Sequence, residues 1–380
     1  TLFRSAEKKN GSWEIVLDQT LFFPEEGGQS ADTGTLSGWV VEDVQIRDGI
    51  IYHKVRTPML ASPKAGMTVQ GQIDWEHRFS NMQNHTGEHI LSGLIHAKYG
   101  FENVGFHLSD NIITFDQSGY LTPEQVVEIE QEANRVVWAS LPVTAAYLSP
   151  AEAAKKTYRS KIEIDGDVRL VTIGAYDNPI DVCACCAPHV SSTGEIGIIK
   201  ALSCERHRGG VRVELVCGMD ALENFNARQR SVTEISNMLS ARREEVSEAV
   251  DRLITERNSL KASLAASETA LIRLLAASQA EGEGNLLLIN PCEKEGVVLS
   301  DVARRELVNL LVPKCGGLAA VLQGNDEAGY QYIIGSGKAD LRAMTKEINA
   351  AISGRGGGKS EMIMGSCKAP AAAIKEYFET

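Results

Sequence analysis

The run at 74–99, "DWEHRFSNMQNHTGEHILSGLIHAKY", decides how the chain is read. Met82, Ile90, Leu91, Leu94 and Ile95 fall at helical spacing, which predicts a helix from Asp74 to about Tyr99 with one face in a core. His85 and His89 lie four apart on that helix. Residues i and i+4 share a face, so both imidazoles can reach one ion. Two histidines do not make a metal site, and the further ligands decide what chemistry the chain carries.

Upstream, residues 13–75 read as short strands broken by turn signals: "WEIVLDQTLF", the glycine-bearing "EEGGQSADTG", and "GWVVEDVQIRDGIIYHKV" with Asp48-Gly49 as a hairpin. This predicts a β-rich, barrel-like opening. Downstream, a second helix is predicted after Pro123, and strands return around 143–148, 168–174, 195–202 and 211–216. Up to about 218 the pattern is one α+β domain. Residues 220–278 then contain no Pro or Gly. There Val246, Leu253, Leu260 and Leu274 recur at multiples of seven, flanked by Val250, Leu264 and Leu271, so a long coiled-coil-like helix is predicted, as a spacer or dimerisation arm. The last hundred residues alternate strands and helices around a loop "GRGGGK", a small glycine-rich α/β domain. The expected division is therefore 1–75 (barrel-like), 76–218 (α+β core with the histidines), 219–280 (helical linker) and 281–380 (C-terminal α/β domain).

The 380 residues are 43% hydrophobic and 23% charged, ordinary globular composition. No apolar run approaches a membrane span, and the first residues lack a secretory pattern, so a cytosolic protein is expected. The eight cysteines have no disulfide rhythm, and three crowd into "CACC" at 183–186, which points to metal more than to cross-links. A net charge of −12 argues against indiscriminate nucleic-acid binding and leaves such a partner to local basic patches.

The missing ligands are found in "DVCACCAPHV", 181–190, where Cys185 and His189 are again four apart. With His85 and His89 they make a four-member N/S set of the kind Zn²⁺ prefers. Three thiols within four residues leave the register open, so Cys183 or Cys186 can replace Cys185 as ligand. Glu88 completes an H-x-x-E-H pattern, in which two histidines grip zinc and the glutamate activates water, as in inverted zinc peptidases. That reading needs a downstream carboxylate as third ligand and leaves the Cys-His cluster without a role. A third reading is a non-catalytic binding module with structural zinc.

Four blocks, "LDQTLFFPEEGGQSADTG" (17–34), "GQIDWEHRFSNMQNHTGEHIL" (71–91), "VCACCAPHV" (182–190) and "RGGVRVELVCG" (208–218), resemble in this order the editing domain of alanyl-tRNA synthetases and the AlaX-type free-standing editing proteins. The long helix followed by "GRGGGKSEMIMG" (354–365) is similar to the glycine-rich C-terminal domain of those synthetases. No segment resembles a class II aminoacylation core, so the resemblance is to the long free-standing form.

The resemblance implies a zinc-dependent hydrolase that deacylates tRNA(Ala) mischarged with serine or glycine. It makes His85, His89, Cys185 and His189 the zinc ligands and places Thr20 and Gln29 on the wall of the amino-acid pocket. Thr20 can offer the hydrogen bond by which a polar site separates serine from alanine. Glu26, Glu88 and the "CCAPH" that replaces "CGGTH" depart from the family pattern and bear on substrate preference and rate. The expected tRNA contacts are Arg206, Arg208 and Arg212 in "ERHRGGVR", and Arg355, Gly356, Gly357, Gly358 and Lys359 in the glycine loop. That loop lacks a Walker pattern, so ATP binding is not expected. A second copy of the chain, through the long helix or the C-terminal domain, is the other expected partner.

Overall fold

The computed structural model describes residues 1–9, 12–56, 63–109, 112–161, 164–294 and 296–379. It forms two compact units, Thr1–Glu234 and Ile235–Thr380.

The first unit opens with β1 (Phe3–Lys9), β2 (Ser12–Leu17), β3 (Gly34–Leu36), β4 (Trp39–Arg47), β5 (Ile50–Arg56) and β6 (Gly71–Ile73). These make one antiparallel sheet in the order β1-β2-β5-β4-β3-β6. Asp48 and Gly49 both take positive φ (50° and 73°) between Arg47 and Ile50, the two-residue hairpin its sequence predicts. The barrel expectation is corrected. The six strands form a sheet whose end strands β1 and β6 do not pair with each other; the start of β1 is held instead by the stretch before β6, where the Phe3 N–H donates to the Met67 carbonyl at 3.0 Å and the Val69 N–H to the Thr1 carbonyl at 2.9 Å. Phe3, Ile15, Leu36, Val41, Val44 and Val55 form its core.

Helix α1 (Trp75–Tyr99) follows directly, started by Asp74, whose carboxylate accepts from the His77 N–H, and stopped by Gly100 in the left-handed conformation. Its C-terminal half packs Ile90, Leu91, Leu94 and Ile95 against Ile113 and Phe115. Around it lie β7 (Asn103–Ser109), β8 (Ile112–Gln117), α2 (Pro123–Trp138, with a Thr122/Gln125 capping box), β9 (Val143–Leu148), the one-turn α3 (Pro150–Ala153), β10 (Val168–Ala175), β11 (Asn178–Ala184), β12 (Ile199–His207) and β13 (Gly210–Cys217). Strands β12-β13-β8-β7 form one sheet and β11-β10-β9 another, both antiparallel. The strand expected around 195–202 begins only at Ile199, because Thr193–Ile196 form a 3-10 turn.

The glycine- and proline-free segment is two helices, α4 (Gly218–Leu239) and α5 (Val246–Ser278), where one was expected. Ser240 adopts φ 49°, its N–H bonds the Asn237 carbonyl and the Ala241 N–H bonds the Ser236 carbonyl, a Schellman closure made without glycine. In the second unit, β14 (Leu286–Ile289), α6 (Asp301–Leu311), β15 (Ala319–Asn325), β16 (Gly329–Gly335), α7 (Leu341–Ala351), β17 (Gly354–Gly358), β18 (Met362–Cys367) and α8 (Ala371–Glu379) complete the chain. The sheet runs β14-β15-β16-β18-β17. It is covered on both faces: Ala319 and Val321 pack with Leu307 and Leu311, while Ala320 and Leu322 pack with Ile348 and Ile374.

The glycine loop is also corrected. Gly354–Gly358 are an edge strand, β17, paired to β18. A Cβ on Gly356 would meet the Tyr332 hydroxyl at 2.3 Å, so this glycine serves the close approach of Tyr332, which donates to Asn349 at 2.7 Å.

Candidate metal centre

Three elements build the site. Helix α1 carries His85 and His89 on its core-facing side, β11 ends at Ala184, and the loop that follows carries Cys185 and His189. Strand β11 can lie against α1 because residue 93 is glycine: a Cβ there would meet the Asp181 Cβ and the Ile180 carbonyl, each at 2.8 Å. Ligand atoms of His85, His89, Cys185 and His189 all come within 4.8 Å of one another. The Cys185 Sγ lies 3.6 Å from His85 Nε2 and 3.4 Å from His189 Nε2.

Each imidazole is held from behind at Nδ1. His85 Nδ1 bonds Gln29 Oε1 at 2.7 Å, His89 Nδ1 bonds Asp181 Oδ2 at 3.2 Å, and His189 Nδ1 bonds Thr86 Oγ1 at 3.0 Å. The Thr86 hydroxyl donates to the Met82 carbonyl at 2.7 Å, which leaves its lone pairs for His189. Nδ1 is therefore the protonated nitrogen in each ring, and Nε2 is left for an ion. Burial opposes ionisation of the Cys185 thiol, but His85, His189 and His89 outweigh it and hold the thiol well below its ordinary range. Burial, with His89 and His85 beside it, pushes His189 down to about 3. Burial opposes protonation of His89, but Asp181 and Cys185 outweigh it and hold this ring well above its ordinary value, so a metal ion at its Nε2 would displace a proton; a thiolate and neutral imidazoles are the forms that ligate, and the donor types fit a metal ion.

The other two thiols are set apart. Cys183 is buried, and burial raises its thiol. With His89 and Asp181 it makes a second possible donor group, but Asp181 is engaged by Arg159 at 2.8 Å on each oxygen. Cys186 is exposed, and partial burial beside Glu26 pushes its thiol up to about 12.

A cavity of about 530 Å³ opens beside the ligands, lined among others by His85, His89, Glu88, Asn103, Lys161 and Cys185. Burial opposes ionisation of Glu88, but Lys161, His89, Arg159 and Ser92 together hold its carboxyl below the ordinary range. Gln29 is fully buried behind His85. Thr20 lines a different cavity, of about 670 Å³, with Leu17, Phe22 and Trp75. Its hydroxyl meets His53 Nε2 at 2.9 Å and accepts from the Phe22 N–H at 3.1 Å.

Of the basic residues, Arg212 is bound to Asp116 by two hydrogen bonds of 2.7 and 2.9 Å. The Arg206 guanidinium lies over the Tyr120 ring at 5.4 Å, and Arg208 occupies the β12–β13 turn at φ 43°. Arg355 lies within the edge strand β17 and Lys359 directly after it, both exposed. Asp181 and Thr86, which bond the candidate ligands His89 and His189, and Arg159, which bonds Asp181, are positions that sequence reasoning missed. Asp181 stands four residues before Cys185 in the quoted motif, but no spacing rule marks a carboxylate that acts through a histidine.

The fold and site thus define a mixed α/β protein of several sheets with a His₃Cys donor set beside a cavity. Residues 2–77 match the family described as tRNA synthetases class II (A), and residues 168–214 match the threonyl and alanyl tRNA synthetase second additional domain. The first match falls on the six-stranded sheet and its connection to α1. The alanine–tRNA ligase of Methanocorpusculum labreanum is 32% identical over 95% of this chain and 40% of its own length. The alanyl-tRNA editing protein AlaX-L of Pyrococcus horikoshii is 28% identical over 95% of this chain and 90% of its own length. The C-Ala domain of Aquifex aeolicus alanyl-tRNA synthetase aligns with 27% of the chain, and the chain covers 94% of that domain, at 16% identity and a TM-score of 0.20. The chain is thus similar over nearly all of its length to an alanyl-tRNA editing protein of the AlaX type and to the corresponding part of alanine–tRNA ligases. It spans about two fifths of the length of the ligases it matches. No described helix is long and apolar enough to cross a membrane.

Proposed function

We propose that the protein is a zinc-dependent hydrolase that cleaves the ester of tRNA(Ala) mischarged with serine or glycine. The observation that carries this reading is the convergence of three imidazole Nε2 atoms and one thiolate on the wall of a cavity large enough for an aminoacyl group. Zinc, when bound, supplies Lewis acidity toward water or the ester carbonyl at an exchangeable position. The chain's own residues do the positioning. Gln29, Asp181 and Thr86 fix the three ring orientations, and Arg159 fixes Asp181. Thr20, beside His53, is the candidate for reading a serine hydroxyl, and the basic residues Arg206, Arg208, Arg355 and Lys359 are candidates for the tRNA backbone.

The peptidase reading finds less support. The donor set is completed by Cys185 and His189 and not by a carboxylate, and Glu88 is engaged by Ser92 and by Asn103. The test is hydrolysis of Ser-tRNA(Ala), Gly-tRNA(Ala) and Ala-tRNA(Ala), before and after chelation and after zinc is restored. Chelator-sensitive release of serine or glycine, with alanine spared, is expected. Full activity in the metal-stripped protein would reject the role of zinc, and inactivity toward all three esters would reject the function.

A further inference from the structure

Three carboxylates line the cavity beside the ligand set: Glu26, Glu88 and Asp167. Glu26 and Asp167 are exposed to solvent, whereas Glu88 is 2% exposed. Its hydrogen bonds both fall on Oε1, one from the Ser92 hydroxyl and one from the Asn103 amide. Ser92 is in turn held by Gln117 at 3.3 Å, so the carboxylate is fixed from behind by a buried polar network. Among the described residues no donor reaches Oε2. The other buried carboxylate here, Asp181, has both oxygens occupied by Arg159 and His89.

A buried anion with a free oxygen is costly unless a cation meets it. The cationic side chains of the cavity do not bond Glu88, although Lys161 and Arg159 act on it through space: Arg159 is bonded to Asp181, the Lys161 Nζ sits over the Phe106 ring at 4.8 Å, and Arg169 donates to the Cys185 and Ala187 carbonyls. Glu88 precedes His89 by one residue and follows His85 by three on α1, so a group bound to Oε2 lies next to the metal ligands. Resting on the aminoacyl-ester reading above, we infer that Glu88 Oε2 binds the free α-ammonium of the substrate. Every aminoacyl ester carries that cation one carbon from the scissile carbonyl, whatever its side chain. The consequence is a specificity for the unblocked amine: esters whose nitrogen is acylated, such as peptidyl esters, leave Glu88 without its partner and are rejected.

The test uses the zinc-loaded full chain and two probes that cannot be hydrolysed: adenosine carrying 3′-amide-linked serine, and the same compound N-acetylated. Calorimetric binding is measured beside kcat/KM on seryl-tRNA(Ala) and N-acetylseryl-tRNA(Ala). The wild type is expected to prefer the free amine by about tenfold or more, the worth of a charge-assisted hydrogen bond. In Glu88→Gln, with zinc content unchanged, that preference should shrink to about threefold or less on the same scale. Equal binding and hydrolysis of both forms by the wild type would overturn the inference without any variant. So would a Glu88→Gln protein that keeps the full preference while losing kcat equally on both esters, which would make Glu88 a general base. Failure to hydrolyse either ester while still preferring the free-amine probe would instead reject the parent reading alone.

Discussion

Two buried histidines of the first unit, His53 behind the Thr20 cavity and His85 in the wall of the Glu88 cavity, contrast in how their ring nitrogens are used, which separates a candidate metal ligand from a structural residue. His53 is fully buried, with Nδ1 on the Ile15 carbonyl at 3.1 Å and Nε2 met by the Thr20 hydroxyl. Both nitrogens have protein partners, and burial lowers its pKa, so it stays neutral with nothing left to coordinate. His85 is equally well held at Nδ1 by Gln29, but its Nε2 faces a thiol. What distinguishes the two is how many ring nitrogens the protein itself satisfies, and burial alone does not.

If that distinction is right, substitutions around the two histidines differ in kind. The largest effect is expected at His89→Ala, which removes one of four ligands: zinc content and ester hydrolysis should both fall to background, read by metal analysis and single-turnover assay. Full zinc occupancy in that variant would remove His89 from the ligand set. Asp181→Asn should act one step out. It leaves the ligands in place and weakens the hold on His89, so zinc affinity is expected to drop about 10–100-fold in a competition titration. An unchanged affinity would mean that Asp181 serves Arg159 alone.

At the other cavity, Thr20→Val deletes the partner of His53 Nε2 and the acceptor of the Phe22 N–H. The expected cost is about 1–3 kcal/mol in chemical denaturation, with zinc retained, since a buried acceptor is left unpaired. A selective loss of seryl over glycyl hydrolysis beyond that cost is what the proposed serine-reading role of Thr20 requires, and a stability cost alone would confine Thr20 to holding His53. The smallest effect is expected for the paired substitution Arg355→Ala and Lys359→Ala on the exposed edge strand. KM for charged tRNA should rise with kcat unchanged, and the slope of log affinity against log salt should become shallower by about 1–2. No change in either would take β17 out of the tRNA interface and leave its glycines to packing.

What the sequence made legible follows from range. Helix α1 was readable because its cap, its apolar spacing and its glycine stop all lie within 27 residues. The clustering of His85, His89, Cys185 and His189 was readable because each half repeats a four-residue spacing, although which of Cys183, Cys185 and Cys186 faces the histidines needed the conformation of the loop after β11. The Asp181–His89 pair spans 92 residues and Thr20–His53 spans 33, and no local pattern reports such contacts. Two local rules were overridden by structure. Ser240 takes the left-handed conformation that glycine usually supplies, so a segment without glycine still ends a helix. Gly354–Gly358 have low strand propensity but pair with β18 because Tyr332 packs where a side chain would otherwise stand.

The account depends most on which atoms meet the ion, and X-ray absorption at the zinc edge on the purified, zinc-loaded protein reads that directly. One sulfur at about 2.3 Å and three nitrogens at about 2.0–2.1 Å are predicted, with the sulfur lost in Cys185→Ser and retained in Cys183→Ser and Cys186→Ser. Two sulfurs in the first shell, or a sulfur that survives Cys185→Ser, would contradict the His₃Cys site.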